Sequence, residues 1–138
     1  MVYFATIDTN VIVSYFYQKD SPPGKIVEMA LDGPIVPLFH QDIFREYADV
    51  LLREKFDFDI GDVLSFLWNF YNRGILLDRT DAYEKFVDEK DVVFYEVTLT
   101  GRSSNDAYLI TGNKKHFPQK YFVVSPREML SIIEASKS

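Results

Sequence analysis

Four oxygen-bearing side chains in this sequence have the types and spacing of a metal-ion site: Asp8, Glu46, Asp91 and Asn113. Asp8 follows the apolar segment "VYFATI", and Asn113 follows "YLIT" after one glycine, so both come just after a predicted buried strand. Carboxylates that lie close together repel one another unless a cation lies between them. Oxygen ligands suit Mg²⁺ or Mn²⁺, and zinc is disfavoured in a chain with no cysteine and two histidines.

Each of the four residues also has an ordinary structural explanation. Asp8 in "DTN" and Asp91 in "DEKDVVF" can each cap the helix that follows. Glu46 borders the apolar stripe of its helix and can extend its carboxylate to water. Asn113 in "GN" suits a turn. Each signal alone is unspecific, and their combination favours a shared site.

Other polar residues near these positions have less specific interpretations. Lys114, Lys115 and His116 either contact phosphates beside the site or form an exposed loop. Glu96 either supports the site from behind or is an ordinary surface residue, and the surface interpretation is favoured. Asp106 precedes its strand, so we expect it at the opposite end of the sheet from Asn113.

The elements that must position these residues are short apolar strands alternating with helices. Strands are predicted at 2–7, 35–38, 75–77, 107–111 and 121–124, and helices at 10–17, 23–31, 41–55, 61–73, 91–100 and 126–135, the last capped by Ser125. Residues 83–87 receive no assignment. Short, continuously apolar strands between helices indicate a parallel sheet covered on both faces, which binds ligands at the carboxyl ends of its strands.

The composition fits one folded domain, 1–138, with 47% hydrophobic residues and no cysteine. This predicts a cytoplasmic protein, with no membrane span and no signal peptide. The net charge of −6 disfavours broad binding to a nucleic-acid backbone, but acids that hold a metal still create an anion-binding centre.

Four segments in this order resemble the PIN-domain family of metal-dependent ribonucleases, which includes VapC-like toxins of toxin–antitoxin pairs. They are "IDTNVIVS", "FREYADVLLREKF", "DEKDVVFYEV" and "YLITGNKKHF". The resemblance implies a three-layer α/β/α sandwich with a mainly parallel sheet. It also implies an Mg²⁺- or Mn²⁺-dependent endoribonuclease whose catalytic and metal-binding residues are Asp8, Glu46, Asp91 and Asn113.

One position departs from the family pattern, because Asn113 stands where an Asp is usual. An amide oxygen still coordinates a cation but adds no charge, so we expect a weaker second metal site. Asn10 and Thr111 flank the motif and are expected to orient the ligands.

The resemblance further implies an RNA substrate, an antitoxin protein as partner and a homodimer. Five aromatic residues either serve such contacts or belong to the core: Tyr15, Phe16, Tyr17, Phe66 and Trp68. Two alternatives remain from the sequence: a catalytically weak or inactive RNA- or protein-binding module, and a receiver- or phosphatase-like domain with Asp8 as phosphoacceptor.

Overall fold

Within residues 1–137, which the computed structural model describes, five parallel strands form one sheet. The strands are β1 (Tyr3–Ile7), β2 (Ile35–Phe39), β3 (Ile75–Leu76), β4 (Tyr108–Ile110) and β5 (Val123–Val124), and their spatial order is β3-β2-β1-β4-β5. β1 lies at the centre, with Tyr3 opposite Ile35 of β2 and Ala5 opposite Tyr108 of β4. Since all strands run in one direction, their carboxyl ends meet at one edge.

Six α-helices of the described chain surround this sheet. They are α1 (Thr9–Tyr17), α2 (Pro22–Asp32), α3 (Gln41–Leu51), α4 (Ile60–Arg73), α5 (Val92–Arg102) and α6 (Pro126–Ala135). α5 packs across β1, β2 and β4, while α2 packs on β2 and contacts α1, α4 and α6. This confirms the predicted three-layer α/β/α sandwich. Covered faces also explain why the central strands are continuously apolar.

Polar side chains begin several of the helices. The Ser21 hydroxyl accepts a hydrogen bond from the Gly24 N–H at 3.2 Å. Ser125 forms a capping box with Glu128, as its sequence predicts for a helix start. His40 caps α3 through Nδ1, which accepts from the Asp42 N–H at 3.0 Å; the sequence had not indicated this cap.

The predicted helix 41–55 is too long, because α3 ends at Leu51. The chain then forms a 3₁₀ turn at Glu54–Phe56 and reverses at Asp57, whose φ of 51° is left-handed. This reversal stacks the rings of Phe56 and Phe58 at 5.3 Å, and both rings contact aromatic residues of α1. α3 therefore ends earlier than its sequence pattern predicts, because these aromatic rings pack against α1.

Two other predicted elements are shorter or irregular. β5 begins at Val123 rather than residue 121, because the Val123 N–H still donates to the Lys120 carbonyl within a turn. Residues 83–87 belong to an irregular segment, 77–88, between β3 and the 3₁₀ turn Glu89–Asp91. In the described part of the chain, no helix is long and apolar enough to cross a membrane.

Candidate metal centre

Asp8 lies at the carboxyl end of β1, with its side chain only 7% exposed. Its N–H donates to the Ile110 carbonyl at 2.9 Å, so the bonding with β4 continues past the strand. Its Oδ2 accepts a hydrogen bond from the Thr111 hydroxyl at 2.7 Å. Asp8 occupies the N-cap position of α1, yet its side chain makes no capping hydrogen bond. The carboxylate is therefore held by Thr111, the residue that follows β4.

The pKa of Asp8 is raised to about 6, chiefly by burial and to a smaller extent by the negative charges of Asp91 and Glu46, while the Thr111 hydroxyl opposes the shift. Burial likewise raises the pKa of Asp91, with Asp88 and Glu46 adding to the shift. These mutual effects show that three carboxylates from β1, α3 and the start of α5 lie within electrostatic range of one another.

Glu46 is half-buried on α3, and one hydrogen bond fixes its own side chain while another fixes that of the next residue. Its Oε2 accepts a hydrogen bond from the Thr9 hydroxyl. The next residue, Tyr47, is fully buried and donates its hydroxyl to the Ile7 carbonyl. These two contacts fasten α3 to the end of β1 and to the first residue of α1. The sequence pattern does not indicate the contact of Thr9 with Glu46, although Thr9 directly follows Asp8.

Asp91 ends the 3₁₀ turn before α5, and its side chain is 16% exposed. Asp91 occupies the predicted N-cap position of α5, but its side chain makes no capping bond; Asp88 caps the preceding 3₁₀ turn by accepting from the Lys90 N–H. The Nδ1 of His116 lies 3.4 Å from Asp91 Oδ2. Asp91 Oδ2 is buried and, within residues 1–137, accepts no hydrogen bond.

Asn113 is joined to Asp8 through Thr111. Its N–H donates to the Thr111 hydroxyl oxygen at 2.9 Å, and that hydroxyl donates to Asp8. The intervening Gly112 N–H lies 3.3 Å from Asn10 Oδ1, which accepts its hydrogen bond. The turn after β4 is thus tied to the start of α1 at the same edge of the sheet.

Glu96 is not the ordinary surface residue that the sequence favoured. It is 7% exposed, and its carboxylate accepts from Arg79 Nε at 2.7 Å and from the Ala82 N–H at 2.9 Å. It therefore anchors the irregular segment 77–88. Asp106 pairs with Arg102 at 3.0 Å and precedes β4, at the opposite end of the sheet from Asn113.

The basic residues after Asn113 border a cleft of about 760 Å³ next to β5. Lys114 pairs with Glu128 at 2.9 Å and lines this cleft together with Lys115 and Lys120. Tyr121, which is 72% exposed, also lines the cleft. The cleft combines cationic and aromatic groups, which is the composition of a surface that contacts single-stranded nucleic acid.

Carboxylate oxygens such as these are the ligands that a hard cation prefers. Asp8, Glu46 and Asp91 offer oxygen ligands, and Asp91 Oδ2 is buried without a hydrogen bond, with the His116 imidazole 3.4 Å away. As they stand, no three acidic or histidine side chains of residues 1–137 are close enough to hold an ion together. Binding an ion would therefore draw these side chains closer to one another.

A model of the PIN domain matches residues 5–115, so the chain belongs to the PIN-domain family. Proteins of this family are generally nucleases. The chain is also 27% identical over 111 residues to an uncharacterised protein of Methanocaldococcus jannaschii, an alignment that covers 78% of this chain and 69% of the relative. No solved structure matches the chain.

Proposed function

We propose that this protein is a metal-dependent endoribonuclease that hydrolyses RNA phosphodiester bonds with Mg²⁺ or Mn²⁺. The observation that carries the proposal is the gathering of Asp8, Glu46 and Asp91 at the carboxyl edge of the sheet, with a buried oxygen on Asp91 that accepts no hydrogen bond. These three carboxylates and the amide oxygen of Asn113 would hold the cation.

A divalent cation bound there would lower the pKa of a coordinated water and stabilise negative charge on the phosphate. The protein's own contribution is orientation. The Thr111 hydroxyl fixes one oxygen of Asp8, and the Thr9 hydroxyl fixes one oxygen of Glu46. Such contacts keep the remaining carboxylate oxygens directed toward a shared ligand.

The cleft beside β5 supports single-stranded RNA as the substrate. Lys115 and Lys120 would contact phosphates, and Tyr121 offers an exposed ring for base stacking. With a net charge of −6, the protein would depend on these local cations and on the bound metal rather than on a broad basic face.

Cleavage of an unstructured and a structured RNA with Mn²⁺ or Mg²⁺ tests the proposal. We expect cleavage that EDTA abolishes and that Asp8→Asn lowers at least about 100-fold, because the substitution removes a charged ligand. Asp106→Asn is the matched control, since Asp106 is exposed at the other end of the sheet. Cleavage that persists in EDTA and in Asp8→Asn would reject the assignment.

A second candidate function is a non-catalytic RNA- or protein-binding module, and Asn113 is the observation that favours it. With an amide in place of the family's usual carboxylate, the site has less charge to retain a metal. Calorimetry with Mn²⁺ separates the two functions. We expect binding at millimolar Mn²⁺ that tightens about tenfold in Asn113→Asp; no heat of binding in either protein favours the module.

We also propose that the chain acts as one domain in the cytoplasm, as the toxin of a toxin–antitoxin pair. Its nuclease family supports this only in general terms. Induced expression in a bacterial host should then arrest growth, and Asp8→Asn should relieve the arrest at equal protein level. Normal growth with active, soluble enzyme would exclude the toxin role while leaving the ribonuclease proposal intact.

A further inference from the structure

The turn that follows β4 brings an imidazole to the candidate metal centre. At the start of this turn the Thr111 hydroxyl donates to Asp8 Oδ2 at 2.7 Å. At its other end, Nδ1 of His116 lies 3.4 Å from Asp91 Oδ2. One short turn therefore contacts two of the three carboxylates, and it does so with a hydroxyl at one of them and a nitrogen ligand type at the other.

Contacts with other parts of the chain hold His116 in place. Its N–H donates to the Asn113 carbonyl at 3.1 Å. Its neighbour Lys114 forms an ion pair with α6 at 2.9 Å. On its other side, the buried ring of Phe117 lies 6.3 Å from that of Phe86, edge to face. The backbone on both sides of His116 is thus anchored, although the imidazole itself is 43% exposed.

The spacing of His116 Nδ1 and Asp91 Oδ2 is that of two ligands of one ion. Ligand atoms about 2.1 Å from an ion lie about 3.0 Å apart at an octahedral angle and about 3.4 Å apart at a tetrahedral angle. An ordinary ion pair would also explain the distance. It would leave unexplained, however, why Asp91 Oδ2 is buried and accepts no hydrogen bond within residues 1–137.

An imidazole nitrogen changes which ion such a centre prefers. Mg²⁺ binds oxygen ligands and keeps several of its waters, whereas imidazole suits transition-metal ions. The amide of Asn113 adds no charge to the carboxylates of Asp8, Glu46 and Asp91. Since His116 belongs to the same turn as Asn113, it can add the donor that the amide supplies only weakly.

We propose that His116 is a nitrogen ligand of the metal ion and makes the centre selective for Mn²⁺ over Mg²⁺. This inference rests on the proposed metal centre and adds to it one ligand and the preferred ion. The neutral imidazole binds the ion through Nδ1 and carries its proton on Nε2. Asp91 Oδ2 is the adjacent oxygen ligand.

Pulsed electron paramagnetic resonance of the Mn²⁺-loaded protein tests this ligand directly, because it detects magnetic coupling to a coordinated nitrogen nucleus. We expect imidazole coupling in the wild type and none in His116→Ala, with Mn²⁺ still bound. The matched control is His40→Asn, since His40 is the other histidine of the chain and asparagine can still cap α3. This control should keep the coupling.

Metal titrations give a second readout. The wild type should bind Mn²⁺ at least about tenfold more tightly than Mg²⁺. His116→Ala should weaken Mn²⁺ binding about tenfold and change Mg²⁺ binding less than about twofold, because water readily replaces the imidazole on Mg²⁺. His116→Asn should lose the Mn²⁺ preference as well, since its amide offers the ion no nitrogen ligand. Circular dichroism should show both variants folded, because the His116 side chain is partly exposed.

Several outcomes would overturn the assignment while leaving the metal centre itself in place. They are a Mn²⁺-loaded wild type without nitrogen coupling, and coupling that persists in His116→Ala. Equal losses of Mn²⁺ and Mg²⁺ affinity in His116→Ala, or full Mn²⁺ affinity in His116→Asn, would show that the imidazole only positions Asp91. A wild type that binds neither ion would reject this inference together with the proposed function.

Discussion

Ionised Asp8 destabilises the folded chain when no cation is present. Its pKa of about 6 lies above its ordinary value of 3.8, chiefly because the carboxylate is buried. The folded protein therefore binds this proton more tightly than the unfolded chain does. Protonated Asp8 therefore stabilises the folded state below pH 4. This stabilisation, about 3 kcal/mol, is lost as the pH rises through 6.

Asp8→Asn should therefore be more stable than the wild type at pH 7 in EDTA, by about 2 kcal/mol. The advantage should disappear near pH 4, where the wild-type carboxyl is protonated in both states. Urea unfolding at several pH values measures this difference. Asp106→Asn, at an exposed ion pair, should change stability by less than about 0.5 kcal/mol throughout. An Asp8→Asn protein that is less stable than the wild type at pH 7 would contradict the argument.

Among the elements, the irregular segment 77–88 owes its position mainly to α5 and, at its start, to β2. The Glu96 carboxylate holds Arg79 and the Ala82 N–H, the Tyr95 hydroxyl donates to Glu84 at 2.7 Å, and the Leu77 N–H donates to Phe39. This segment leads directly to the turn that presents Asp91. A segment without helix or strand can therefore still hold a candidate site residue in one position, because buried polar contacts fix the segment.

Arg79→Ala should destabilise the protein by about 1–2 kcal/mol, because it leaves the buried Glu96 carboxylate without its cationic partner. The estimate is moderate because the Arg79 side chain is 35% exposed, and water replaces part of the interaction.

The matched control for this element is Arg53→Ala. Arg53 pairs with Asp49 at 3.3 Å, but both side chains are well exposed, at 42% and 73%. We expect Arg53→Ala to change the free energy of unfolding, measured in urea, by less than about 0.5 kcal/mol. Limited proteolysis should also cut residues 77–88 faster in Arg79→Ala than in the wild type, and no faster in Arg53→Ala. Equal effects of the two substitutions would show that the buried pair does not hold the segment.

For the whole molecule, three separate parts of the chain meet at one sheet edge and leave their negative charges close together. A cation that binds only the folded arrangement stabilises it by mass action. Relief of the repulsion between the carboxylates is part of the binding free energy, so the effect should exceed that of an ion that only screens charge.

Mn²⁺ at about 100 times its dissociation constant should raise the free energy of unfolding by about 2.7 kcal/mol at pH 7. For a chain of this size that corresponds to a rise in Tm of several degrees, about 5–10 °C. Differential scanning calorimetry measures the shift, with Ca²⁺ and high NaCl as comparisons. The rise should shrink strongly in Asp8→Asn, and an equal rise in both proteins would place the ion elsewhere.

The sequence by itself determined the architecture and the location of the candidate site. Continuous apolar strands between helices indicated a covered parallel sheet, and such a sheet brings Asp8 and the turn containing Asn113 to one edge. These inferences succeed because strand ends and helix starts depend on local sequence. The Ser125 capping box is a further example.

Only the tertiary structure decided which side chains support one another. The burial of Glu96 depends on Arg79, which is distant along the chain, and the early end of α3 depends on aromatic rings of α1. The hydrogen bonds from Thr9 to Glu46 and from Tyr47 to the Ile7 carbonyl likewise join residues of different elements. A linear pattern records whether a residue is polar or apolar, but not which distant group it meets. The physical reason is that these contacts form only when separate elements pack together.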